Sequence, residues 1–528
     1  MLTRKRTALA AAGTAMLLAG CATVQPGLDP PQINRLLAAR GAPAMGWENN
    51  GGTTDQALVA QWLAEPMTAT RAVRVAMLRS PRLQEEYARL GLARADIMEA
   101  VQIANPRFNI GRLGTLGGPG YQLGLGLVMP LVDLLVLPAR ARLARSDFER
   151  AKLAIAAAVL NVGFDVETAW YGYVGARQVA DMRAAAASAM EVSAALARRY
   201  YAAGNISELQ LKREEAAAAT ARIEAARALV AARMARLALN NGIGLSGADA
   251  EWQTSDRLPL PVAAEDDPAT LEAMARQGNL AVLAQARQVD ILGKAAGITR
   301  NLRLLGDTQI GFEREREADG SKIQGPTASI EIPIFNQGGA RVQRAEARYL
   351  QARAQLQALR LQTDNAVRLY AERVQVLADI VRTHRDALIP ARETVVERSQ
   401  QEQNFMLIGV FELIQAKTQE YDAYQGYLEA IRDYWLARLD LMRAVGGRLP
   451  SETAIAGQAP SSSEMLTPRG NAMDHSGHGT APAESAAPMA AVPGMDHSSH
   501  GAPAPAAAPT PPAPAPPATA HQHPGAPS

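Results

Sequence analysis

The chain repeats itself. "YYAAGNISELQLKREEA" (200–216) and "FMLIGVFELIQAKTQEY" (405–421) align with Gly204 on Gly409, Gln210 on Gln415, Lys212 on Lys417 and Glu215 on Glu420. "YQLGLGLVMPLVD" (121–133) and "TASIEIPIFNQGGAR" (327–341) align with Pro130 on Pro333. The two anchors fall in the same order at nearly one offset, so two halves of roughly 200 residues share one plan. Aromatic residues make up only 5 % of the chain and alanine dominates its middle. That composition suits long helices packed closely through small side chains rather than one large globular core.

Each half reads alike. An amphipathic helix comes first, over 68–104 and again over 267–297. A two-strand segment follows, about 107–132 and 304–335. Tyr121, Leu123, Leu125, Leu127, Met129 and Leu131 alternate with Gln, Gly, Val and Pro, and Ala328, Ile330, Ile332 and Ile334 alternate with Thr, Ser, Glu and Pro. A period of two is the mark of strands with one apolar and one polar or small face. "GGPG" (117–120) reads as a tight turn, and "REREADGSKIQG" (314–325) as a longer charged loop. The pattern then switches to helix from about Ala139 to Ala203 and from about Ala340 to Ile408, with Pro390 the one interruption of the second run. Such runs make rods on the order of 100 Å. In the second rod Ala345, Ala352, Leu359, Ala366 and Ile380 share one heptad register, with Tyr349, Leu356, Tyr370 and Leu377 four places on; Thr363 and Arg373 break it. Helices then return over about 208–241 and 411–445, giving one antiparallel helical hairpin per half.

Four strands with one apolar face cannot close a barrel alone, and an open sheet would leave greasy surface and unpaired edges. Several copies sharing one barrel would remove both problems, with Gln122, Ser329, Glu331 and the glycines toward a wet lumen. A soluble sandwich carried on helices is the alternative. At this point the residues resemble a known family. "IEIPIFNQGGARVQRAEARY" (330–349), Tyr201-x-x-Gly204 with Leu209-Gln210, "MLRSPRLQ" (77–84) and "IANPRF" (103–108) are similar to the motifs of TolC-type outer-membrane efflux proteins, over about residues 60–450. The resemblance implies a mainly α fold with a small β part: long coiled-coil helical hairpins, plus four strands per chain contributing to a trimeric transmembrane β-barrel above a periplasmic α-barrel. It also implies a homotrimer that works with a periplasmic adaptor and an inner-membrane RND-type pump, with the Gly204 and Gly409 turns at the periplasmic tip.

The N-terminus fits that setting. Arg4, Lys5 and Arg6 precede a 14-residue apolar run, too short to span a bilayer, and Leu18-Ala19-Gly20-Cys21 resembles a lipoprotein lipobox. Residues 1–20 are then a signal peptide, Cys21 the acylated residue and 21–66 a lipidated N-terminal segment of an outer-membrane protein; an ordinary signal peptide with a chance cysteine is the alternative. Cys21 is the only cysteine in 528 residues, so no disulfide is expected. Cleavage takes the formal charge from +2 to about −1, which gives no argument for nucleic acid. The repeats divide at 67–265 and 266–447.

No catalytic motif is present: there is no GxSxG, Walker A or HExxH sequence, and an enzyme is not expected. Of seven histidines only His384 lies in the helical part, where its heptad position makes it a packing residue rather than a ligand. The others fall in an Ala/Pro-rich tail, 451–528, that cannot bury a core. "MDHSGHG" and "MDHSSHG" place Met473, Asp474, His475 and His478, and again Met495, Asp496, His497 and His500, in one spacing; His521 and His523 follow. Thioether with imidazole suits copper or silver, in a labile site rather than as a required cofactor. A histidine-bearing spacer is the alternative. The sequence thus points to an efflux channel for copper or silver ions, with a drug or protein-secretion channel, or a metal-storing periplasmic lipoprotein without a pore, as the other readings.

Overall fold

Two short capping devices shape the entry to each repeat. A computed structural model describes residues 30–467 apart from 44–52, 115–119, 305, 307, 452–454 and 456. The helix expected over 68–104 is two, α3 (Ala69–Arg79) and α4 (Pro81–Val101), preceded by α1 (Pro30–Ala38) and α2 (Thr53–Ala64). Ser80 breaks it with extended backbone (φ −66°, ψ 120°), because the following Pro81 disfavours helix at its predecessor and sits at a first helical position that needs no N–H. The second repeat breaks at the same place without a proline. Asn279 takes nearly the same conformation (φ −66°, ψ 115°). Its Oδ1 accepts the N–H groups of Ala281 and Val282 at 3.0 and 3.3 Å, and its Nδ2 donates to the Ala444 carbonyl at 3.0 Å. A capping asparagine replaces proline chemistry.

The strands form one antiparallel sheet in the order β1 (Arg107–Gly114), β2 (Tyr121–Pro130), β3 (Thr308–Arg316), β4 (Lys322–Ile330). Three boundaries differ from the sequence reading. The charged loop shrinks to a turn, closed by Glu317 N–H on the Ser321 carbonyl (2.9 Å) with Gly320 at φ 90°, because its charged residues are themselves strand. Strand β4 stops at Ile330, so Ile332 and Ile334 lie outside it and are exposed. Helix α5 (Leu131–Ala202) starts directly after Pro130, eight residues early, and carries Pro138 inside it at the cost of one backbone bond.

Helix α5 returns as α6 (Glu208–Ile243). After α7 (Pro268–Gly278), α8 (Leu280–Asn301) and the second hairpin come α9 (Gly339–Thr383), a π-helical turn at His384–Leu388, α10 (Ile389–Asn404) and α11 (Val410–Val445). The buried seam of α9 is Ala352, Leu356, Thr363, Val367, Ala371, Val374, Ala378 and Val381. It follows the 3.6-residue helical period, so it drifts off the strict heptad. Ile380 turns outward at 40 % exposure, and Thr363 is buried, its hydroxyl donating to the Leu359 carbonyl at 2.8 Å. Pro390, which has no N–H to give, follows the π turn, where the Ile389 N–H reaches back to the His384 carbonyl.

Helices α5 and α11 bring the repeats together through aromatic rings. Tyr171 stacks parallel on Trp435 at 5.5 Å, and Trp170 meets Tyr171 edge-on at 5.0 Å. The ring N–H groups tie this layer to the connecting segments: Trp170 to the Met67 carbonyl (3.1 Å) and Trp435 to the Pro259 carbonyl (2.6 Å). Arg438, 0 % exposed, pairs with Glu265 and donates to Ser451 Oγ at 2.6 Å, while Tyr434 also bonds Glu265. Residues past 451 remain part of this layer. Ala459 donates to the Leu258 carbonyl (2.8 Å), and Ser461 caps α12 (Ser462–Leu466) with Glu464 in a capping box. The packed body therefore runs to Thr467, not to 450, while Cys21 and the Met- and His-bearing part of the tail lie outside the described residues. Arg438→Ala leaves the largely covered Glu265 without its cation and should cost about 3 kcal/mol; denaturant unfolding in detergent would show it. A cost under about 1 kcal/mol, the value of a surface pair, would contradict this reading.

Candidate functional site

The sheet has two unlike faces. On one, the register aligns Phe108, Leu127, Phe312 and Pro326 across all four strands, with Ile110 and Leu125 on one side of that row and Met129, Ile310 and Ala328 on the other. Phe108 and Ile110 are 65 % and 68 % exposed. The other face carries Asn109, Gly111, Gln122, Gly124, Gly126, Glu313, Glu315, Thr327 and Ser329, with Leu113, Val128 and Ile323 among them, and Gln122 donates to Glu315. Ser329 and Gln122 thus share a face, as the alternation implied. Gly311 is required here, since a Cβ would stand 2.7 Å from the Leu127 carbonyl oxygen. Among the described residues strands β1 and β4 are edges, each paired on one side only.

Two turns close the helical hairpins. At the first, the Gly204 and Asn205 N–H groups bond the Tyr201 and Tyr200 carbonyls (2.9 and 2.8 Å), with Gly204 at φ 75°. At the second, Met406 and Leu407 make the same bonds to Gln403 and Glu402, both 2.9 Å, and Met406 takes φ 60°. Gly204 therefore corresponds to Met406. Gly409 instead takes the N-cap position (φ −79°, ψ 154°) that Ser207 (φ −78°, ψ 159°) fills in the first repeat. Gly204 and Gly409, which align as letters, thus hold different places in their turns. Met406 is the one non-glycine left-handed residue among the described residues, and Phe405, Met406 and Leu407 are all exposed. Tyr200 of the first turn meets Phe411 of the second edge-on at 6.0 Å, which joins the two hairpins near their tips.

His384 is placed among packed helices, as its position implied. Gly426 makes room for the ring, since a Cβ there would lie 2.8 Å from His384 Cε1. Burial pushes the imidazole below the ordinary histidine range, against a hydrogen bond with the Ala423 backbone, and its Nδ1 is buried without a partner. No group of three or more His, Cys, Asp or Glu side chains among the described residues could hold a metal ion.

Residues 72–245 match the family model described as outer membrane efflux protein. The fold is similar to that of CusC, solved in a study of folding and transmembrane channel formation, with TM-score 0.59 and 16 % identity over 72 % of this chain and 92 % of that one. It is also similar to the Campylobacter jejuni CmeC outer membrane channel (0.62, 15 %, 82 % and 93 %) and to the outer membrane protein VceC of Vibrio cholerae (0.59, 16 %, 72 % and 96 %). No curated protein sequence matches the chain significantly. The match to the outer membrane efflux model is thus confined to residues 72–245, and the chain shares the fold of these outer-membrane proteins. Proteins of this efflux family are transport channels rather than enzymes.

Within the efflux fold, Met406 is the residue that sequence reasoning missed. Nothing in the repeat flags it except the absence of glycine after Asn404. A left-handed methionine is strained by about 1 kcal/mol relative to glycine. Met406→Gly should therefore slow amide exchange in the turn at 403–409 by about fivefold. Unchanged or faster exchange there would show that the turn holds no such strain.

Proposed function

We propose that the chain is the outer-membrane channel of a tripartite efflux pump, with three copies closing one twelve-stranded barrel and copper or silver ions as cargo. The observation that carries the channel reading is the sheet: two unpaired edges, an exposed apolar face and a polar face rich in glycine. In hydrocarbon every backbone N–H and C=O must find a partner, and joining β4 of one copy to β1 of the next supplies them. The apolar face then meets lipid and the face with Glu313 and Glu315 lines water. Acylation of Cys21 would anchor the chain beside its barrel.

The hairpin tips offer the docking surface for a periplasmic adaptor, through exposed Leu209, Phe405, Met406 and Leu407. An inner-membrane RND-type pump supplies the energy, so this chain conducts and gates. The cargo rests on the tail, whose two Met-Asp-His-Ser copies would capture or buffer copper next to the assembly.

The test is to delete the gene and return either the full chain or one stopped at Pro468, which spares the packed segment through Thr467. Sensitivity confined to copper and silver, rescued by the full chain and poorly by the truncation, is the expected result. Sensitivity to drugs alone with full rescue by the truncation would contradict the cargo and leave a general efflux channel. No sensitivity, with a monomer in detergent that conducts nothing, would contradict the channel itself.

A further inference from the structure

The tetrapeptide Glu313-Arg314-Glu315-Arg316 alternates charge at the strand period. Successive side chains point to opposite faces, so β3 sends both carboxylates to the polar face and both guanidinium groups to the apolar one. The register then gathers more cations on that apolar face. Arg112, Leu123, Arg316 and Lys322 stand in one row across the four strands, and Ile110, Leu125, Arg314 and Gln324 in the next. Tyr121 is held between two of them: Arg112 lies over its ring at 4.5 Å from the centroid and Arg316 at 5.1 Å, while Arg316 also donates to its hydroxyl at 2.9 Å. These contacts fix the guanidinium groups in position, and cation–π pairing of this kind is common for arginine.

The face bearing these four cations carries no carboxylate among the described residues. Glu317 and Asp319 sit in the β3–β4 turn beyond it, and no ion pair joins Arg112, Arg314, Arg316 or Lys322 to a carboxylate among the described residues. All four are exposed. The helices leave the sheet at its other end, where β2 runs into α5 and β1 and β3 are entered from α4 and α8. From Thr308, at the helical end, to Arg316 the strand runs roughly 27 Å along its own axis. At a barrel tilt of about 40° that is roughly 20 Å of height, most of an apolar band about 25 Å tall, so the cations stand toward the end of that band away from the helices, where hydrocarbon gives way to headgroups.

We propose that Arg112, Arg314, Arg316 and Lys322, braced by Tyr121, form a belt that binds the phosphate groups of anionic lipid in the outer leaflet. This rests on the channel reading, in which the apolar face meets lipid. The surplus positive charge and the missing carboxylates supply the complementarity. Guanidinium groups aligned in a row suit phosphate oxygens, which they grip through paired N–H donors. The segregation of acids to the opposite face also keeps like charges off the surface that faces headgroups.

The test uses the full-length protein, delipidated in neutral detergent and titrated with phosphatidylglycerol or phosphatidylcholine under native mass spectrometry. Wild type should retain the anionic lipid at least tenfold better than the zwitterionic one. The variant Arg112→Gln, Arg314→Gln, Arg316→Gln, Lys322→Gln should lose that preference, while Glu313→Gln, Glu315→Gln on the other face keeps it. Equal retention of anionic lipid by wild type and the fourfold variant overturns the belt. Displacement by millimolar inorganic phosphate also overturns it, in favour of a site for soluble anions. A photo-crosslinking residue at Leu125 in intact cells separates the two readings. Lipid capture there with no effect of the fourfold variant sinks the belt alone, whereas no lipid capture sinks the membrane-facing reading beneath it.

Discussion

Unpaired backbone at the rim of a sheet is costly in water and far more so in hydrocarbon, where nothing else can accept or donate. In this chain that demand falls on β1 and β4, and most of the remaining architecture follows from it. A four-stranded sheet is too narrow to curl onto itself, so in the proposed channel the missing partners come from other copies. Those copies must present their edges at one height and tilt. In that proposed assembly the long helical hairpins, which leave the sheet at one end, would give each sheet a stiff base.

The stiffness has an identifiable source. Trp170 and Tyr171 come from the first repeat and Tyr434, Trp435 and Arg438 from the second, and they interlock in a single buried layer. Connecting segments around Met67, Pro259 and Ala459 are bonded to that layer through indole, hydroxyl and backbone groups. Elsewhere the helices pack through alanine and valine interleaved with leucine, isoleucine and a few rings such as Phe148 and Phe164. The polar network around Arg438 therefore sets how the two repeats are registered. Charged pairs such as Arg448 with Glu167, and Arg82 and Arg443 with Asp165, extend it.

The repeat, the alternating strands and the long helices were legible in the sequence because periodicity survives low similarity. What escaped were features decided by a few atoms. Asn279 breaks a helix as Pro81 does, yet a capping side chain leaves no pattern to match. Gly204 and Gly409 look equivalent as letters, while the backbone pairs Gly204 with Met406 and Ser207 with Gly409. The charged stretch after Phe312 resembled a loop by composition, although its strict alternation was strand all along. The seam of α9 drifted because an uncoiled helix keeps its own period over eight turns. Packing past residue 451 was hidden by an Ala- and Ser-rich sequence that gives little sign of being buried.

The central claim is that edges of neighbouring copies pair. Cysteine placed at Asn109 on β1, combined in turn with cysteine at Gly325, Thr327 or Ser329 on β4, would test it in membranes under mild oxidation. These positions share the polar face, so the correct register brings one pair within bonding reach. A covalent ladder that ends at three chains is the result this account expects. Monomer alone in every pairing, or a ladder that runs past three, would contradict it.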